Sequence, residues 1–148
     1  MILGSLYALL ASLGFGVIFN IRGRNLFFAS LGGSIGWFFY LLSLEYYPSK
    51  VFALFVGSLA ISIYSEVMAR VLKTPVTTFM ICAMIPLVPG AGMYYTMLES
   101  IQGNIDKSLT LGLQTIGGAG AIAVATVLVA STTKVIVTLK QGKIKGSK

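Results

Sequence analysis

The run IPLVPGAGMYY, residues 85–95, decides how this chain is read. It lies in a long apolar segment where a helix is the natural expectation, yet Pro86, Pro89, Gly90 and Gly92 crowd into seven positions of it. Proline has no N–H to donate and its ring clashes with the preceding turn, so helix interiors exclude it. Pro86 leaves the carbonyl of Cys82 without its helical donor, and Pro89 does the same for Ile85. A helix restarting at Gly90 has first amides, from Gly90 through Ala91 and Gly92 to Met93, without intrahelical partners. The spacing therefore predicts a helix over 76–98 broken near its midpoint, Leu87.

The surroundings make that break consequential. Of 148 residues, 56% are hydrophobic and only 10% charged, with a mean hydropathy of +0.89. A soluble domain carries about a quarter charged residues, so the composition is that of an integral membrane protein in a single bundle. There is no histidine, and the acids are Glu45, Glu66, Glu99 and Asp106. Hydrolytic, metal or acid–base chemistry has little to work with, so neither an enzyme nor a cofactor is expected. The lone cysteine, Cys82, has no partner for an intramolecular disulfide.

A spanning helix needs about 20 mainly apolar residues. Five stretches qualify, at 2–19, 26–44, 51–72, 76–98 and 109–133, giving an all-α bundle of five transmembrane helices with the fourth broken. The transmembrane domain is expected over 1–139 and a basic cytoplasmic tail over 140–148. The first stretch has no basic leader segment and reads as a retained helix, not a cleaved signal. Five crossings put Arg22, Arg24, Arg70, Lys73, Lys134, Lys140, Lys143, Lys145 and Lys148 on one side, nine of the eleven basic residues. Cytoplasmic loops are the ones enriched in Lys and Arg, so the N-terminus is expected outside and the C-terminus in the cytoplasm. Lys50 and Lys107 fall on the other side, with Glu45, Glu99 and Asp106. If 76–98 dipped in and returned, the bias would vanish, so the broken segment is expected to cross. The net charge of +7 is then mainly a topology signal, and no nucleic-acid partner is expected.

Unpaired backbone groups in hydrocarbon cost several kcal/mol each and survive only where protein, water or a ligand satisfies them. Free carbonyls attract ammonium groups, protons or cations, and free amides at a helix N-terminus attract a carboxylate. Broken helices at the midplane are how many secondary transporters build substrate sites. A small zwitterion or dicarboxylate suits that geometry, with Cys82, Ile85, Pro86, Pro89, Gly90, Ala91, Gly92, Met93 and Tyr94 as the expected substrate-binding positions. A plain proline kink satisfied by neighbouring helices is the alternative. Tyr94, Tyr95 and Thr96 reach into such a cavity or belong to an interfacial aromatic belt.

Glu66, the one carboxylate inside a predicted span, is the proton-coupling candidate. Arg70 is four residues on and shares its face, which fits a structural ion pair equally well. Gln114, Thr115 and Asn20 either bond neighbouring helices or touch a solute, and Thr77 and Thr78 open the fourth helix as caps. Small residues recur every four positions at Ala8, Ser12 and Gly16; Ser30 and Ser34; Gly32 and Gly36; and Gly117, Ala121 and Ala125. Such stripes let backbones approach closely, within a subunit or against a partner.

The succession GFGVIFN (residues 14–20), LGGSIGW (31–37), SEVMARVLKTPVTTF (65–79) and IPLVPGAGMYYTM (85–97) resembles the threonine/serine exporter family. More narrowly, it resembles the small integral-membrane subunit of the two-component bacterial members. PLVPG followed by a tyrosine is the most specific element. The resemblance implies proton-motive-force-dependent export of threonine and serine, or of dicarboxylates such as succinate, from the bacterial inner membrane. It also implies a larger integral-membrane exporter subunit as partner, because single-chain members fuse a larger half to one like this. Membrane lipid is the other expected contact, and a higher oligomer is compatible. A non-transporting scaffold that stabilises a larger membrane protein is the competing reading.

Overall fold

A computed structural model describes residues 1–145, with side chains as far as Leu139. The described residues form six α-helices and no strand: α1 (Ile2–Ile18), α2 (Arg24–Tyr46), α3 (Lys50–Leu72), α4 (Val76–Met84), α5 (Gly90–Ile101) and α6 (Ile105–Lys145). A single 3-10 turn, Ile85–Leu87, stands between α4 and α5.

Local chemistry sets the joints. Gly23, at φ 63, opens α2 from the left-handed region that glycine tolerates. Ser49 caps α3 by accepting from the Phe52 amide at 3.4 Å. α3 stops at Lys73, in a left-handed conformation with φ 51, and Thr74 donates back to the Ala69 carbonyl at 3.0 Å just ahead of Pro75. The residue before a proline is disfavoured in helical geometry, so the chain turns there.

Among the described residues, three helices are long and apolar enough to cross a membrane: α2, α3 and the Ile105–Leu139 part of α6. The pair Val76–Leu87 and Gly90–Ile101, bent by 41°, makes a fourth if taken as one span. This is fewer than the five expected from sequence. The difference lies in α1, which ends at Ile18 as Asn20 turns to φ 57 and leaves 17 helical residues. At 1.5 Å per residue that is about 26 Å, against a hydrocarbon core of about 30 Å.

α6 also departs from expectation. It starts at Ile105 instead of 109 and continues past 133 to Lys145. No glycine or proline interrupts KVIVTLKQ (residues 134–141), so the helix passes Leu139 and continues into the lysines of the basic segment. Its 41 residues span about 62 Å, roughly twice the hydrocarbon thickness. Of the tail, 146–148 lie outside the described residues.

α2 and α3 form the centre. α1 lies on α2 with Ser5, Ala8, Ser12 and Gly16 inward, and Gly33 of α2 leaves no room for a Cβ against the Ser12 hydroxyl. α2 and α3 meet where Gly36 faces Ile61 and Gly57 faces Leu87: a Cβ on Gly57 would come within 2.8 Å of Leu87 Cδ2 and 3.0 Å of the Gly36 carbonyl. Missing side chains let these backbones close, which is the usual packing device where lipid removes the hydrophobic drive. Tyr64 adds a tie, donating to the Phe28 carbonyl at 2.9 Å. α4 packs against α2 and α3 through Phe79, Cys82, Ala83 and Met84. α6 packs on α3, and α5 rests on α6 alone among the described helices.

Candidate functional site

The break is built more tightly than its sequence implies. After Met84 the chain tightens into the 3-10 turn, and the Val88 amide donates to the Ile85 carbonyl at 3.2 Å. The expected free carbonyl at Ile85 is therefore occupied. Gly90 donates to the Val88 carbonyl at 2.8 Å, and Met93 donates to the Pro89 carbonyl at 3.3 Å. Of the four amides expected to be free, only those of Ala91 and Gly92 have no acceptor among the described residues. They belong to the first turn of α5, where N–H groups point back along the axis toward the break.

A partly open cavity of about 390 Å³ lies against this turn. Trp37 and Tyr40 from α2 line it, their rings 5.0 Å apart, with Lys50 and Leu54 from α3. The break contributes Pro86 through Pro89, α5 contributes Ala91, Gly92 and Tyr95, and α6 contributes Leu111, Gln114 and Thr115. At about 30 Å³ per water, the volume equals roughly a dozen waters, enough for a small solute. Its polar side chains are Lys50, Tyr40, Tyr95, Gln114 and Thr115, and no carboxylate is among them; the Trp37 indole nitrogen lies on the other side, against Gly4 of α1.

Gly92 makes the α5 wall possible. A Cβ there would collide with Thr115 Oγ1. The Thr115 hydroxyl donates to the Leu111 carbonyl at 2.7 Å, so its oxygen keeps acceptor capacity on the cavity side. Ser108 donates to the Thr96 carbonyl at 2.8 Å, Lys107 pairs with Glu99, and Asn104 donates to Glu99 at 2.8 Å. These contacts fasten α5 to α6 beyond the cavity.

The residues singled out from sequence separate into two groups. Pro86, Pro89, Ala91 and Gly92 line the cavity; Cys82, Ile85, Gly90, Met93 and Tyr94 do not. Cys82 is fully buried in a cluster with Ala29, Ala69 and Phe79. Gly90 has open space where a Cβ would stand, and Met93 and Tyr94 project from the outer surface of α5. Tyr95 reaches the cavity instead of Tyr94. Lys50, Trp37, Tyr40 and Leu54 are wall residues that sequence did not assign. Gln114 and Thr115, weighed between packing and contact, sit in the wall.

Glu66 is elsewhere. It pairs with Arg70 at 2.9 Å, and Arg70 also donates to the Glu66 carbonyl at 2.8 Å. Twelve residues separate it from Leu54 along α3, about 18 Å. The structure does not bring it to the break.

A family model described as Threonine/Serine exporter, ThrE, matches residues 4–132. That covers most of the chain, including every wall residue of the cavity, and the chain belongs to this family of membrane transport proteins. No solved structure matches it.

Proposed function

We propose that this member of the threonine/serine exporter family moves a small carboxylate-bearing solute through the cavity at the helix break. Threonine and serine are the solutes the family's description names, and a dicarboxylate such as succinate carries the same ionised group. One observation carries the reading: the acceptor-free amides of Ala91 and Gly92 stand on the wall of a cavity sized for such a solute. Unpaired backbone donors are tolerated at membrane depth where they line a cavity, and a helix N-terminus favours negative charge.

In this reading α1 is the fifth crossing, short enough to need local thinning of the bilayer. The clustering of Lys and Arg supports a cytoplasmic C-terminus and an outer N-terminus. The cavity then opens toward the outer face, where the α2–α3 and α5–α6 joints lie. A larger membrane subunit works with this chain in the inner membrane. Glu66 carries the coupled proton after release from Arg70, so Glu66→Gln should remove the pH-gradient dependence of flux; unchanged dependence ends that role.

The test is to mend the helix. Pro89→Ala with Gly90→Leu restores an amide and a helix former where the break stands, and space is open at Gly90. Flux of threonine, serine and succinate is then measured in vesicles from cells expressing the full chain from its own locus. Loss of flux at normal membrane abundance is expected. Flux equal to wild type for all solutes carried would overturn the proposal.

A further inference from the structure

Lys50 is an exposed residue at the start of a helix, an unfavourable place for a cation. It is the first residue of α3, where the helix dipole presents partial positive charge. No carboxylate lies within ion-pair distance of it among the described residues. The other basic residue at this end of the bundle, Lys107, is paired with Glu99. Yet Lys50 lines the cavity as its one charged residue, and Ala91 and Gly92 line the same cavity.

We propose that Lys50 is the counter-charge for a carboxylate in the cavity, and that the carboxylate is the group of the solute the site reads. This rests on the transport reading above and sharpens it. An ionised carboxylate has two oxygens with about four acceptor positions. An ammonium and two backbone N–H groups are complementary to them, and hydrogen bonds to ionised groups are roughly twice as strong as neutral ones. The amino group of an amino acid meets only neutral acceptors here: the Gln114 carbonyl, the Thr115 hydroxyl and the phenols of Tyr40 and Tyr95. The site therefore distinguishes solutes by whether they carry a carboxylate and is tolerant of an absent ammonium. N-acetylthreonine and succinate fit; threoninamide does not.

A thiol placed in the cavity reads this without requiring transport. Gln114→Cys is introduced into a Cys82→Ala chain, and membrane vesicles from cells expressing it from its own locus are labelled with thiosulfonates of opposite charge. A cation lining the same wet cavity should favour the anionic over the cationic reagent, by about tenfold if the charges come within about 6 Å, after correction for their rates with free thiol. Any effect of Lys50 on the thiol itself cancels in this ratio. Lys50→Gln should abolish the bias, Lys50→Arg should keep it, and Lys50→Glu should reverse it. In the Lys50 chain, threonine, N-acetylthreonine and succinate should slow labelling, and threoninamide should not. Lys50→Gln should lose that protection by tenfold or more in concentration, with melting temperature unchanged or raised because an unfavourable helix-end charge has gone.

A labelling bias indifferent to residue 50, or equal protection by threoninamide and threonine, overturns the role of Lys50. Protection by threonine that survives Lys50→Gln overturns it too, while leaving the cavity as the transport site. Absence of protection by every solute in the Lys50 chain overturns both this inference and the transport reading.

Discussion

α4 and α5 come from one apolar segment and live in opposite surroundings. α4 turns Phe79, Cys82, Ala83 and Met84 into the bundle, between α2 and α3. α5 buries only Glu99 and shows Met93, Tyr94, Tyr95 and Met97 on its surface, leaning on α6. The break is thus a change of allegiance as well as of direction. The half before it is held by many packed side chains, and the half after it by a glycine against a threonine and a polar clasp. Lesions before the break should act on stability, and lesions after it on function.

Gly92→Leu should have the largest effect. Its side chain cannot coexist with Thr115 at the present separation, so α5 is pushed off α6 and the wall is lost. Solute flux in vesicles should fall to background while the protein still accumulates. Phe79→Ala comes next and tests the other half. The ring is fully buried, and emptying such a site destabilises by about 3–5 kcal/mol. A large fall in melting temperature is expected, and an unchanged melt would show that α4 is not the anchor described. Glu99→Gln should be milder. It weakens the pair with Lys107 and one acceptor for Asn104, so amide exchange should quicken around residues 99–107 and nowhere in α4. Tyr94→Ala should do least. The ring is exposed, and surface substitutions are usually within about 0.5 kcal/mol, so a fall in flux would place Tyr94 in the cavity after all.

The same asymmetry explains what could be read in advance. Proline chemistry located the break because it is strictly local: a missing N–H needs no knowledge of neighbours. The stripe of Ala8, Ser12 and Gly16 pointed to the buried face of α1 because small residues mark close approach wherever it happens. Tyr95 could not be told from its neighbour Tyr94, and Lys50 was hidden, for a different reason. One residue rotates a helix face by about 100°, and after a break nothing local fixes the phase of the new helix. In lipid both faces are apolar, so hydropathy does not separate Tyr94 from Tyr95. Lys50 shares a cavity with Gln114 and Thr115 through the packing of α3 on α6, an approach of distant parts of the chain. The Ile85 carbonyl was misjudged because a 3-10 turn supplies a donor three residues on, from Val88, which an α-helical count does not consider. α6 runs on beyond 139 because lysine is a good helix former and charge alone does not end a helix.

Because α5 packs on no other helix than α6 among the described residues, the molecule has an order of assembly written into it. A nascent chain that has emerged as far as Ile101 can already close α1 to α4 around Gly36, Gly57 and Leu87. α5 has nothing to dock on until the segment from Ile105 follows it out of the ribosome. Through that interval the translocation machinery, or another polypeptide, must shelter a short helix whose leading amides are unsatisfied.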